Sequence, residues 1–399
     1  MVKPQNKLDD LEVGEVSQLL LNRDFILITL SGFIFFFNFH SFILLSVYIK
    51  KLGGTESDVG FIMGAASLST IFTTPAVGIL VDRWQRKFFL AIGGLVMSLS
   101  TLPFAFLHEL SFLFTLLRII HGAAFSLCFV AAGTLTADVT PASKRSQALG
   151  LFGVFTILNY ALAPFVGKRI VERYDYDTLF LVVFIFGFLS FLVALLIREP
   201  RNKANSGVAE DSKSIITTLF RKGVFVAAFS LMISGSGFIS TVNFLPVFAR
   251  SVHIESFDLF FISYTLSALA VRVFGGWIPD RFGKKRAAIP SLLFFSLSLL
   301  GIGFASGVSH LIGTGIVFGL SHGLVYPAIY ALVIDLSPDA ERGKAFAICS
   351  VAFTLGGMLG SFIYGVVAEH AGFRIMFEIA AAVCFLGFIV FSVFGRDNK

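Results

Sequence analysis

Charge is the first thing this chain is short of. Of its 399 residues only 14% are Asp, Glu, Lys or Arg, against 56% hydrophobic ones, and mean hydropathy is +0.86. A soluble domain carries about a quarter charged residues, so a water-soluble globule is excluded. Cysteine is scarce too: Cys128, Cys349 and Cys384 all lie inside apolar stretches. No loop carries a cysteine, so a disulfide framework is excluded and the three read as small packing residues. The chain also lacks a Gly-rich phosphate-binding loop and any His, Asp or Glu set at metal-ligand spacing. No cofactor, no metal and no built-in ATPase are expected. Residues 1–24 are polar, and the apolar segment after them is too long for a signal h-region, so no cleavable signal is expected.

What is present is one long apolar segment after another. About 20 such residues span a bilayer as a helix, and twelve spans are predicted. Spans 1–6 are 25–49, 58–81, 88–107, 111–137, 146–170 and 178–197. Spans 7–12 are 224–248, 257–278, 287–308, 310–336, 343–368 and 374–394. The expected fold is an all-α polytopic membrane protein. Residues 1–197 and 223–399 would form two bundles of six helices, joined by a polar linker at 198–222. Within that linker Ile215, Ile216, Leu219 and Phe220 share one helical face, which suits a short surface-lying segment.

The net charge of +6 sits in the short gaps between spans, not in one contiguous patch. A nucleic-acid surface needs such a patch, so nucleic acid is not an expected partner, while anionic lipid headgroups are. With both termini inside, 22 of the 31 Lys and Arg fall on the inner side, 7 on the outer, and 2 within spans. Positive charge marks the cytoplasmic face, so both termini are expected there, in the cytoplasmic (inner) membrane. Lys168, Arg169 and Arg173 sit on the outer side against this trend.

The two halves repeat each other. Gly78, Asp82, Arg83, Arg86 and Lys87 recur 198 residues later as Gly276, Asp280, Arg281, Lys284 and Lys285. Asp138, Pro141, Arg145 and Ala148 recur 197 residues later as Asp335, Pro338, Arg342 and Ala345, and Gly122 maps to Gly319 in that register. Two landmarks at nearly one offset indicate a duplicated six-span unit.

These motifs resemble the major facilitator superfamily over essentially the whole chain. Its turn between spans 2 and 3 reads Gly-x-x-x-Asp-Arg-x-Gly-Arg with a further base, met by Gly78, Asp82, Arg83 and Arg86, and again by Gly276, Asp280, Arg281, Gly283 and Lys284. The first copy has Gln85 in place of the family's glycine, so that turn must avoid positive φ or strain. Arg118-Ile-Ile-His121-Gly122 resembles the family's span-4 motif. Ala163-Pro164-Phe165-Val166-Gly167 is a partial match to an element of its drug and metabolite exporters. The general look is of arabinose-efflux-permease-like and drug-antiporter-like members. The resemblance implies spans 1, 4, 7 and 10 around a central cavity, alternating access and a monomer. It also gives Gly78, Asp82, Arg83, Arg86, Gly276, Asp280, Arg281 and Lys284 a role in gating the cytoplasmic side, and Arg272, eight residues before Asp280, reads as a structural residue closing that side between the bundles.

Polar side chains inside the spans are the candidate substrate contacts, because an ionised group at a helix centre costs on the order of 3 kcal/mol and needs water or a partner. Arg118, His121 and Phe125 share a face of span 4, and His322, Tyr326 and Tyr330 form a similar stripe on span 10. Asn38 and His40 on span 1 are about 200° apart around the helix, so only one can face a cavity. Span 7 offers Ser234 and Asn243. For each histidine the alternative is a packing role bonded to a backbone carbonyl, and for Arg118 a structural ion–dipole role.

The expected function is secondary transport of a small organic solute, with efflux of a drug or metabolite preferred. Uptake or facilitation of an anionic metabolite or sugar is the alternative, and a membrane receptor or enzyme the remote one. Proton-coupled exporters of the resembled family usually carry an acid within span 1, which this chain lacks beyond Asp24 at its edge. If protons are a partner, His121 and His322 are the candidate carriers.

Overall fold

The computed structural model describes residues 22–199, 215–338 and 341–395, and among them the regular elements are all helical. Most of the expected linker, and the side chain of Asp82, lie outside the described set. The six spans of the first half are Arg23–Lys51, with a tight 3-10 turn at Phe42–Leu44, then Glu56–Arg83, Arg86–Thr101, Phe112–Asp138, Arg145–Arg173 and Tyr176–Leu195. Those of the second are Lys222–Ser251, Asp258–Phe274, Lys284–Gly303, Val308–Leu336 and the long run Arg342–Phe394. That run is spans 11 and 12 joined end to end, with a break at Gly372, where φ is +86°.

Ten of these segments are long and apolar enough to cross a membrane. Splitting the long run gives eleven, and span 8, at 17 residues, is the twelfth. Span 8 stops at Gly275, and the chain turns through the short helix Ile278–Phe282 before span 9. Span starts follow local chemistry. Asn22 accepts the Phe25 N–H at 2.8 Å, and Thr55 and Asp58 form a reciprocal capping box. Of the linker, a five-residue helix, Ile215–Leu219, is described, with Thr218 buried and Phe220 exposed.

The duplication read from the sequence repeats contact for contact. Arg86 Nη1 meets Asp138 Oδ2 at 2.6 Å, and the matching Lys284 and Asp335 also form an ion pair. Arg145 Nε donates to the Ala137 carbonyl at 3.0 Å, and Arg342 Nε to that of Ile334 at 3.3 Å. A Cβ on Gly122 would strike the Ala66 carbonyl oxygen, and one on Gly319 that of Tyr264. Spans 4 and 2, and likewise 10 and 8, cross where only glycine fits. Gln85 answers the question posed by its turn: it sits at φ −67°, extended, while Gly283 in the second copy takes φ +97°.

The buried core shows how the halves meet. At the end away from the Asp-Arg turns, one continuous apolar cluster runs from Phe42, Tyr48 and Tyr176 of the first half to Phe244, Phe257 and Tyr264 of the second. At the basic end the core is two separate bodies. One holds Ile28, Phe35, Leu90 and Leu135, the other Val224, Leu292, Ile329 and Cys349. The molecule is joined at one end and divided at the other.

Candidate functional site

At the far end an ion cluster fastens span 5 to span 8. Lys168 Nζ lies 3.0 Å from Asp258 Oδ1, and Arg169 Nη1 lies 3.3 Å from Asp258 Oδ2. Asp258 is 2% exposed and Lys168 7%, so the pair is shielded from water. This accounts for two of the three bases that broke the charge trend; Arg173 lies instead over the Tyr174 ring at 5.9 Å. Beside it, spans 2 and 11 approach closely: the backbone of Gly60 is packed on Ser361 and Gly365, and the Ser57 N–H donates to Glu369 Oε2 at 3.3 Å.

Below this seal an aromatic layer crosses from one half to the other. The His40 and Tyr160 rings are 4.0 Å apart, and Tyr160 sits edge-on to Phe238 at 5.7 Å and to Tyr264 at 5.8 Å. Phe238 then stacks on His322 at 4.2 Å, and Tyr326 lies 6.0 Å from His322 and 5.4 Å from Phe353. On the first half's wall, Phe125 packs on Phe39 at 4.4 Å and Phe129 at 5.5 Å. Edge-to-face and stacked arrangements at these separations are the favourable ones for aromatic rings.

Behind the first wall runs a polar chain. Arg118 Nη1 meets His121 Nδ1 at 2.7 Å, His121 Nε2 meets Asn38 Oδ1 at 3.2 Å, and Asn38 Nδ2 donates to the Val183 carbonyl at 2.7 Å. A guanidinium only donates, so His121 Nδ1 accepts and Nε2 carries the proton. That assignment follows from the network. Arg118 is 4% exposed, lies over the Phe42 ring at 5.2 Å, and leaves its Nε without a partner.

The candidate residues therefore separate. Asn38 points into the first bundle and ties spans 1, 3, 4 and 6, while His40 turns to Tyr160 at the junction, its Nδ1 donating to the Phe36 carbonyl at 2.8 Å. Arg118, His121 and Phe125 gather with them as the shared face implies. His322 and Tyr326 line the second half's wall, and Tyr264 Oη meets His322 Nδ1 at 3.3 Å, leaving His322 Nε2 unpartnered. Asn243 is elsewhere, donating to Ser361 Oγ at 2.8 Å between spans 7 and 11. Arg272 is half-buried within electrostatic range of Tyr264, Tyr326 and His322, with its Nε unpartnered.

At the basic end Asp280 and Arg281 are exposed, and Arg281 lies over Trp277 at 5.4 Å and Phe282 at 5.7 Å on its own turn. An added Cβ at Gly78 would meet nothing, and one at Gly276 only the Arg272 backbone. In this conformation neither glycine is a point of close approach between helices. Arg86 and Lys284 are held within their own halves by Asp138 and Asp335.

Sequence reasoning passed over Tyr160, Phe238, Tyr264 and Asp258. Tyrosine is rare here, 8 against 49 phenylalanines, so Tyr160 and Tyr264 deep in spans were a usable signal. Asp258 lies at a span's edge and reads as an ordinary loop acid.

The model of the Major Facilitator Superfamily matches residues 26–277 and 250–399. A multi-drug resistance efflux pump, PmrA of Streptococcus pneumoniae, is 26% identical over 85% of this chain and 87% of its own. The quinolone resistance protein NorA of Staphylococcus aureus is 24% identical over 82% of this chain and 84% of its own. Among solved structures, the nucleoside transporter NupG aligns with a TM-score of 0.76 at 16% identity, over 93% of this chain and all 100% of that one. A bacterial homologue of the human lysosomal transporter Spinster, inward-facing and unoccupied, aligns at 0.74 and 15% identity, covering 94% and 98%. Family match, duplicated motifs and twelve-span fold agree: the chain belongs to the major facilitator superfamily and is a multi-pass membrane transporter of small molecules, not an enzyme.

Proposed function

We propose that the chain exports a small organic solute by alternating access, and that the conformation described above is the one open toward the cytoplasm. One observation carries the conformation: the apolar core is continuous across the halves at the far end and divided in two at the basic end. Residues 1–197 and 223–399 are the two moving units and 198–222 their linker. The basic end and both termini face the cytoplasm, across the inner membrane of the cell, and one copy suffices.

In the opposite state the turns around Gly78, Asp82, Arg83 and Arg86, and around Gly276, Asp280, Arg281 and Lys284, close on the other half. The open space beside Gly78 and the exposure of Asp280 are what such a released gate would present. Relatives named as an efflux pump and a quinolone resistance protein support export. Uptake of an anionic solute is the second reading, favoured by Arg118, which has no acid partner among the described residues. Proton coupling rests on His322, whose Nε2 is unpartnered, more than on His121, whose two nitrogens are both engaged.

Solute counterflow with the pure protein in liposomes, run with and without a pH gradient, tests these points together. Exchange that depends on the gradient supports the whole reading. Exchange indifferent to it removes proton coupling, and the absence of any exchange removes alternating access.

A further inference from the structure

We propose that the aromatic layer shared by the two halves, with Arg118 and Arg272 on either side of it, selects an aromatic organic anion, a planar ring bearing a carboxylate or equivalent acid, and rejects lipophilic cations. This rests on the transporter reading above and names the class of solute it moves.

Charge is the first ground. Two arginines without a carboxylate partner among the described residues flank the aromatic layer, Arg118 from the first half and Arg272, in the last turn of span 8, from the second. Arg118 lies over Phe42 at 5.2 Å and Phe39 at 6.0 Å, and Phe39 leads through His40 to Tyr160. Arg272 is within electrostatic range of Tyr264, His322 and Tyr326. Among the described residues neither guanidinium has a carboxylate partner, and the Nε of each is buried and unsatisfied. The two buried acids among the described residues are engaged elsewhere: Asp258 by Lys168 and Arg169, and Glu341 by Arg221. An unpaired buried cation is costly, and an entering carboxylate would relieve it. A lipophilic cation would find two like charges and no counter-charge.

The donor set is the second ground. An arginine Nε–H can only donate, so each orphaned atom calls for an acceptor. Arg272 is half-buried, whereas Arg118 is 4% exposed and sits behind Phe39 and Phe42. Arg272 is thus the point of contact for the acid, and Arg118 adds positive potential from the other wall.

Shape is the third. Phe238 lies nearly parallel to His322, at an interplanar angle of 14°, and Tyr160 presents its edge to Phe238 and Tyr264. Rings from both halves that meet by stacking and edge-on contact suit an aromatic solute that exchanges one ring partner for another.

The test uses the full chain, purified in detergent, and three probes: 1-naphthoate, its methyl ester and tetraphenylphosphonium. Calorimetry should show naphthoate binding at least about tenfold more tightly than the ester, with no binding of the phosphonium. Arg272→Gln should lower naphthoate affinity by about tenfold and leave the ester unchanged, and Arg272→Lys should restore part of the difference. Absent naphthoate binding, equal binding of acid and ester, phosphonium binding as tight as naphthoate, or an acid-to-ester ratio untouched by Arg272→Gln would each overturn the proposal. The acid–ester comparison needs no variant, so a poorly folded mutant leaves the test intact. Naphthoate that binds in detergent but does not exchange in liposomes would defeat alternating access and leave this proposal standing. Exchange of phosphonium in place of naphthoate would do the reverse.

Discussion

Lys168 in the first half holds Asp258 in the second, its Nζ 3.0 Å from the carboxylate, at the end of the molecule where the two cores are one. Removing one partner of a buried ion pair costs about 3–5 kcal/mol, because the other charge stays behind unpaired. Here the effect falls at the low end, since Arg169 is half exposed and water can reach it. Asp258→Asn is therefore expected to weaken the far-end closure selectively. A cysteine placed on span 8 near residue 261 should become more reactive to a membrane-impermeant maleimide added from the outer side. Unchanged labelling would mean that the cluster does not hold the gate.

The lesson about legibility lies in the same residue. The repeat at Asp82 and Asp280 and the twelve apolar runs were readable because periodicity and charge asymmetry are properties of the chain itself. So was the conformation of Gln85: a residue with a Cβ resists positive φ, and it sits at −67°. Asp258 was not readable, because its meaning depends on Lys168, 90 residues away and in the other half. Tyr160 stood out as a rare tyrosine deep in a span, but its partners did not, since Phe238 and Tyr264 belong to the other bundle. The spacing of Asn38 and His40 told that one must turn away, but not which one. Packing decided that it is Asn38.

The Arg118–His121–Asn38 chain makes a prediction about stability. His121→Ala leaves the Arg118 Nη1 donor without its partner and the Asn38 oxygen with only the Thr101 hydroxyl, at 3.4 Å, and an orphaned buried polar group costs about 1–3 kcal/mol. His121→Gln can accept with its oxygen and donate with its amide, so it should recover part of the loss. Thermal unfolding of the purified protein, followed by fluorescence-detected size exclusion, compares the two. Equal melting temperatures for both variants and the parent would place the chain outside the fold's energetics.

Glycine at the span crossings gives a steric prediction. A Val at Gly122 or Gly319 drives a side chain into the Ala66 or Tyr264 carbonyl, and overpacking of this kind typically costs about 1–3 kcal/mol. The two variants should lose folded protein to a similar degree, because the duplicated halves use the same crossing. Gly133→Ala, which meets nothing within 4 Å, should behave as the parent. Yield of monodisperse protein after solubilisation measures all three.

His322 supplies the pH prediction. If its free Nε2 takes up the coupled proton, His322→Gln should keep solute exchange at equal pH on both sides and lose the acceleration by an imposed gradient. His121→Gln, engaged at both nitrogens, should keep that acceleration. Gradient-driven transport by the His322 variant at the parent's rate would remove histidine 322 from the coupling.

The central claim is that the halves rock, joined at one end while parted at the other. Spin labels at Arg83→Cys and Arg281→Cys report the basic end, and labels at Ser57→Cys and Glu369→Cys the far end, read by pulsed dipolar spectroscopy in liposomes. The account predicts two populations at each pair that exchange in opposite senses when a transported solute is added: the basic-end distance shortens as the far-end distance lengthens. A single fixed distance at both pairs, or two distances that grow and shrink together, would contradict it.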